Sequence, residues 1–174
     1  MTKRHIFLTG EKQVGKSTVL RKVLKDRAYT GFRTLPFELD GVKRGYTLHS
    51  LTDLPDGMND APCVVRVNQN RHSAVEPVFE GAGAAALTQA LSCDTPLILM
   101  DELGKVEHRC ECFLQAVRAC LDSAHHVIGV VQRGDAPMQQ EIRNRADVLC
   151  IEVTPDNREE IPAQVEEILR AWGV

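Results

Sequence analysis

The sequence predicts an α/β domain with a mostly parallel sheet and one antiparallel hairpin set into it, on three observations. Ile6-Phe7-Leu8, a short run of strand formers, leads into Gly10-Glu11-Lys12-Gln13-Val14-Gly15-Lys16-Ser17-Thr18 and then into a helical pattern. Pro96-Leu97-Ile98-Leu99-Met100 is apolar enough for a strand buried on both faces, and it delivers Asp101 and Glu102 at its carboxyl end. Between and beyond these stretches, apolar runs of strand length alternate with amphipathic runs of helix length.

Gly-x-x-x-x-Gly-Lys-Ser between a strand and a helix is the context of a phosphate-binding P-loop. Gly10 and Gly15 permit backbone dihedrals and close approach that side chains forbid, so successive N–H groups from Lys12 to Thr18 can wrap a phosphate at a helix N-terminus. Glu11, Lys12, Gln13 and Val14 complete the loop. Lys16 is placed to reach β- and γ-phosphate oxygens, and the Ser17 hydroxyl to bind Mg²⁺. The competing view is a glycine-rich turn with an ordinary surface lysine.

Taken in order, Val19, Leu20, Val23 and Leu24 form the apolar face of a first helix ending near Asp26. Gly31 to Leu39 and Val42 to Leu48 flank Asp40-Gly41, a strong hairpin signal because both central positions of such a turn need positive φ. Pro36 confines its strand to an edge or a bulge. The inserted segment runs over about 31–78: an exposed loop at 50–62, a short strand Cys63–Val67, and an irregular polar stretch Asn68–Glu76. A small-residue helix follows over Glu80–Leu91, then the acidic strand.

Asp101 and Glu102 emerge where open α/β sheets bind their ligands. With a P-loop in the same domain, Asp101 is expected in the Mg²⁺ shell with Ser17, and Glu102 is expected to orient and polarise an attacking water. Alone, an acidic pair after a strand reads more readily as a solvated strand end or a helix cap. Glu107–Leu121 is the strongest amphipathic pattern in the chain. Val127–Val131 is a further buried strand, carrying Gln132 and Arg133 to the edge where Asp101 lies. Arg133 is a candidate sensor of γ-phosphate charge, with an exposed strand-end charge as the alternative. Pro137–Arg145 makes a short helix and Val148–Val153 the last strand. Thr154 can cap a turn with Pro155 at its first position, and Ile161, Val165, Ile168, Leu169 and Trp172 mark a closing helix. Asn157 and Arg158 fall where a base could lie, or serve as a cap and a surface charge.

The size of 174 residues suits one domain, 1–174, with one core. A net charge of −3 supplies no broad basic field, so a nucleic-acid or protein partner has no support beyond the P-loop. With no run of 18 apolar residues and no signal-type leader, a cytoplasmic, monomeric protein away from membranes is expected. Six cysteines lack any Cys-x-x-Cys pair. Cys110 falls in phase with Phe113, Leu114, Val117 and Leu121, so small apolar packing residues are expected rather than zinc ligands.

Asp101-Glu102-Leu103-Gly104-Lys105-Val106-Glu107, followed by Phe113 and Ala116, closely resembles the Asp-Glu-Ile-Gly-Lys-Met-Glu signature of the small nucleoside-triphosphatase family known from thermophiles and from a human cancer-related homologue. Ile142-Arg143-Asn144-Arg145-Ala146-Asp147-Val148 resembles that family's basic helix end. Thr154-Pro155-Asp156-Asn157-Arg158-Glu159 resembles its Thr-x-x-Asn-Arg-Asp motif, and Gly31-Phe32 and Arg44-Gly45-Tyr46 sit where it has a hairpin. The resemblance implies a three-layer P-loop NTPase fold of the RecA-like division. It also implies Mg²⁺-dependent hydrolysis of the γ-phosphate of ATP, GTP and other nucleoside triphosphates. Two other classes stay open: a nucleoside or small-molecule kinase with its acceptor against the hairpin, and a binding module that hydrolyses nucleotide slowly to reset a partner-bound state.

Overall fold

The computed structural model describes residues 2–68, 71–105 and 107–174. Gln69 and Asn70 of the expected irregular stretch, and Val106 of the acidic signature, lie outside the described residues. Eight strands form one sheet: β1 His5–Thr9, β2 Thr30–Leu39, β3 Val42–Ser50, β4 Ala61–Arg66, β5 His72–Ala74, β6 Leu97–Leu103, β7 His126–Val131 and β8 Val148–Glu152. Their spatial order is β5-β4-β3-β2-β6-β7-β1-β8. From β2 through β8 every pairing is parallel, and β2, β3, β4 and β5 pair antiparallel.

The central strands read as they do because both faces are covered. In β1, Phe7 packs on one side and Ile6 and Leu8 on the other; in β6, Ile98 and Met100 oppose Leu97 and Leu99. One layer is made of helices α1 Lys16–Val23 and α6 Ile161–Trp172, whose Val19, Leu20, Val165 and Leu169 close over Ile6, Leu8 and Ile128. The other holds α2 Glu76–Val78, α3 Ala84–Leu91, α4 Glu111–Asp122 and α5 Pro137–Asn144. Its centre is a trio of rings, with Phe113 5.6 Å from Phe32 and 5.2 Å from Phe79. The result is the expected three-layer α/β architecture with an antiparallel insertion.

The hairpin turn forms at Asp40-Gly41, both with positive φ (54° and 71°). Pro36 lies beyond Arg33, the last β2 residue paired with β6. It therefore sits where β2 has a neighbour on one flank only, and its missing N–H leaves no ladder bond unmade.

Several boundaries differ from expectation. The first helix ends at Val23 rather than Asp26, and α4 begins at Glu111, with Glu107–Arg109 forming a turn before it. The small-residue helix begins earlier, at Glu76. It passes through a wide π-type turn at Phe79–Gly83 before α3, because Gly83 lets Phe113 and Leu48 press against the backbone; a Cβ there would lie 2.9 Å from Phe113. A three-residue strand, β5, stands in the stretch read as irregular; its short polar run carries no periodic signal.

His5 is buried at the start of β1. Its Nδ1 accepts a hydrogen bond from the Val127 N–H at 3.1 Å, leaving the proton on Nε2, 3.7 Å from Asp147. Burial outweighs the pull of Asp147 and lowers the pKa from 6.5 to about 4. The unfolded chain therefore takes up a proton at His5 more readily than the fold does. This contribution to stability is full above pH 6.5 and is lost as pH falls toward 4. Between pH 7.5 and 5.0 it amounts to about 2 kcal/mol. Urea unfolding at the two pH values should show that loss, and His5→Asn, which keeps an acceptor for Val127, should shrink it.

Candidate functional site

β1 ends at Thr9 and the chain turns through the glycine-rich loop into α1. Gly10 has φ 137°, and a Cβ on it would stand 2.4 Å from the Val153 carbonyl oxygen, so the loop starts where only glycine fits. Gly15, at φ 112°, is the residue before the helix. Lys16 folds back over the loop, its Nζ donating to the carbonyls of Gly10 at 3.0 Å and Glu11 at 2.6 Å. Desolvation lowers the Lys16 pKa, opposed by the charges of Glu102 and Glu11. Its ammonium is thus held among carbonyl oxygens at the mouth of a loop of N–H groups.

The acidic pair arrives from two strands away, since β7 lies between β1 and β6. The Ser17 hydroxyl donates to Asp101 Oδ1 at 3.3 Å, joining the first turn of α1 to the end of β6. Asp101 is 8% exposed, and burial, followed by repulsion from Glu102, raises its pKa to about 6. Glu102 is half-buried, and the Gln132 amide at the end of β7 donates to its Oε1. A serine hydroxyl and a buried carboxylate in contact with each other are hard oxygen donors of the kind that Mg²⁺ takes.

The expected residues divide into two groups. Gly10 to Thr18, Asp101, Glu102 and Arg133 line one cleft of about 1040 Å³, in which Val14 alone of the loop is turned into the core. Arg133 bridges Glu11 of the loop and Glu152 at the end of β8, an exposed triad that fixes the guanidinium beside the P-loop. Asn157 and Arg158 lie elsewhere. The Asn157 amide closes the turn after β8, its Oδ1 accepting from the Thr154 N–H at 2.8 Å and its Nδ2 donating to the Glu152 carbonyl at 2.9 Å. Thr154 caps the same turn from the Asn157 N–H at 3.3 Å. Arg158 lines a small pocket with Gly15, Thr18, Val19, Lys22 and Glu159, which shares Gly15 and Thr18 with the cleft but not Glu102.

The structure adds two residues that the motifs did not single out. Gln132 positions Glu102, and Arg33 pairs in register with Asp101 across β2 and β6. Gln132 had a visible signal, its place at the end of a buried strand. Arg33 had none, because register between distant strands is invisible in the chain.

A family model described as NTPase matches residues 5–166. The chain belongs to this NTPase family. The nucleoside-triphosphatase THEP1 of Methanosarcina barkeri is 31% identical over 95% of this chain and 97% of its own length. The human cancer-related nucleoside-triphosphatase is 30% identical over 89% and 90%. The crystal structure of THEP1 from Aquifex aeolicus superposes with a TM-score of 0.74, covering 95% of this chain and 98% of that one at 23% identity, which establishes the common fold. Among the described residues of this NTPase family member, no helix is long and apolar enough to cross a membrane.

Asp101 carries a stability cost that can be measured. Its pKa is raised above the ordinary 3.8, so stability is full below that value and falls as pH rises through about 6. Asp101→Asn keeps an acceptor for Ser17 while removing the charge. In metal-free buffer at pH 7.5 it should stabilise the protein by about 1–3 kcal/mol, and the gain should vanish near pH 4. Urea titrations at the two pH values check this.

Proposed function

We propose that this protein is a Mg²⁺-dependent nucleoside triphosphate phosphohydrolase that releases the γ-phosphate of ATP, GTP and related nucleotides. The observation that carries the reading is the meeting of the Ser17 hydroxyl and the Asp101 carboxylate at the mouth of the P-loop, with Glu102 beside them. The names of the relatives, nucleoside-triphosphatases from archaea to human, support the same chemistry.

In this reading the N–H groups of the loop hold the β-phosphate at the start of α1, and Lys16 leaves its two carbonyls for the β- and γ-oxygens. Ser17 and Asp101 would hold the metal, which when bound would neutralise charge on the phosphate oxygens. Glu102 accepts a hydrogen bond and then a proton from the attacking water, its carboxylate aimed by Gln132. Arg133, tethered to Glu11 and Glu152, supplies a positive charge next to the loop. The nucleoside end extends toward the pocket of Thr18, Lys22 and Arg158. That pocket offers stacking and charge rather than a base-reading amide, because both ends of the Asn157 amide are engaged in the turn.

Three measurements test this. Lys16→Ala should lower nucleotide affinity and turnover together, since the lysine meets the phosphates before and during reaction; unchanged phosphate release would remove the P-loop from the mechanism. Glu102→Gln should retain Mg²⁺–nucleotide binding within about tenfold and slow single-turnover hydrolysis by about 10²–10⁴. If it hydrolyses at the parental rate, the base is another carboxylate. ATP and GTP should be turned over within about tenfold of each other, equivalent to about 1.4 kcal/mol; a thousandfold preference would require a base-specific hydrogen bond that this pocket lacks.

A further inference from the structure

Moving a γ-phosphoryl group to water spreads negative charge over its oxygens, and a cation already aimed at them lowers the barrier without reorganising. Arg133 and Arg33 both line the cleft of the P-loop. Arg133 is engaged on both sides by Glu11 and Glu152, whereas Arg33 forms no ion pair with a described residue. Its positive charge is the less committed of the two.

The strand places that charge. Phe32 packs into the layer of α3 and α4, so Arg33, the next residue of β2, leaves the sheet on the face covered by α1 and α6. Asp101 follows Met100 of the same α3 and α4 layer and leaves β6 on that same face, where it meets Ser17. The two residues are partners in register on neighbouring strands, about 5 Å apart. Burial and Glu102 raise the Asp101 pKa, and among the cations that oppose them Arg33 outweighs Lys16.

The guanidinium is also aimed. Its Nη2 donates to the Tyr29 hydroxyl at 2.6 Å, and its centre lies 5.3 Å from the middle of the Tyr29 ring, which itself packs on the core beneath α1 and α6. The other N–H groups of the planar fork remain for an oxyanion, the partner that arginine meets best. The order β2-β6-β7-β1 sets Asp101 between Arg33 and the P-loop. A terminal phosphoryl group lying at the Ser17–Asp101 contact would therefore have Lys16 on one flank and Arg33 on the other.

The geometry points to Arg33 as a further catalytic residue, its guanidinium meeting the γ-phosphoryl oxygens as charge develops on them, with Tyr29 as the positioning residue that aims it. This deepens the hydrolase reading and rests on it. The water oxygen bonds to the γ-phosphorus, its proton passes to Glu102, and the bond to the β,γ-bridging oxygen breaks so that the nucleoside diphosphate leaves. Arg33 takes no proton and forms no covalent bond. It holds the oxygens that are neither attacking nor leaving.

The test compares Arg33→Ala, Arg33→Lys and Tyr29→Phe with the parental protein in three measurements. These are affinity for Mg·ADP, affinity for Mg·ADP with aluminium fluoride, a mimic of the phosphoryl group in transfer, and single-turnover hydrolysis of ATP. Arg33→Ala should bind Mg·ADP as the parental protein does, yet lose hydrolysis and affinity for the aluminium fluoride complex together by about 10²–10³. Millimolar guanidinium chloride should restore part of its hydrolysis. Arg33→Lys, which keeps the charge without the fork, should fall between the two. Tyr29→Phe keeps the ring and loses the hydroxyl, so it should slow hydrolysis less than Arg33→Ala while Mg·ADP affinity stays unchanged. Parental hydrolysis in Arg33→Ala overturns the assignment. So does a loss of Mg·ADP affinity as large as the loss of rate, which would make Arg33 a residue of folding or of ground-state binding. Should Arg33→Ala fail to fold, the same two outcomes in Arg33→Lys decide. Failure of the hydrolase reading is separate: it would show as no phosphate release by the parental protein from any nucleoside triphosphate.

Discussion

The contact between Ser17 and Asp101 is the constraint on which the molecule turns. The two residues are 84 positions apart, and they meet because β1 and β6 both end at one edge of the sheet with β7 between them. Parallel pairing makes this possible, since every strand in the run β2-β6-β7-β1-β8 delivers its carboxyl end to the same side. The helices of both layers then serve to hold that edge rigid. The two apolar faces of β1 and β6 lock each strand from both sides, so a slip of one residue would send core side chains to the wrong layer.

Rigidity is needed because the edge is electrostatically unfavourable on its own. Asp101 and Glu102 are adjacent carboxylates, one nearly buried, and Lys16 beside them is turned onto backbone carbonyls. A fold that tolerates a carboxylate with a pKa near 6 is giving up stability for a site ready to accept positive charge. The remaining groups limit that cost: the Gln132 amide meets Glu102, Ser17 meets Asp101, and Arg133 ties Glu11 to Glu152 without entering the buried cluster. At the other end of β1, His5 is buried beside Asp147 with Arg145 and Arg4 near it, so charge gathers at the strand starts as well.

Much of this was legible in the chain because it depends on local patterns. The glycine spacing before Lys16, the apolar run before Asp101 and the Asp40-Gly41 turn each fix a backbone geometry within a few residues, and each stands where the sequence placed it. What was not legible depends on contacts across the sheet. The start of α4 shifts to Glu111 because Glu107, although in phase with the helix, turns back so that its carboxylate accepts from the Gly104 N–H at 3.1 Å. The wide turn at Phe79–Gly83 follows from how closely Phe113 approaches Gly83, a fact of packing between distant segments. Asn157 shows the limit in the functional direction: its position after the last strand suits a base-binding residue, but a side-chain amide there can equally close its own turn, and only the geometry distinguishes the two.

The insertion of β3, β4 and β5 is the part of the fold that the P-loop does not require. A parallel sheet could end at β2, leaving a short edge covered by charge or by a loop. Instead β2 continues past its last partner in β6, carries Pro36 where no second neighbour needs an N–H, and recruits three antiparallel strands alongside. The consequence is geometric. The extension continues beside the carboxyl edge, and Arg33 to Pro36 of β2 line the cleft that holds the P-loop and Glu102. An edge that only needed protection from pairing would be expected to present charge to solvent along its whole length. Here Arg33 and Leu35 share the face that carries Asp101, while Tyr46 and Val64, opposite Pro36 in register, turn to the other face and pack on the layer of α3 and α4.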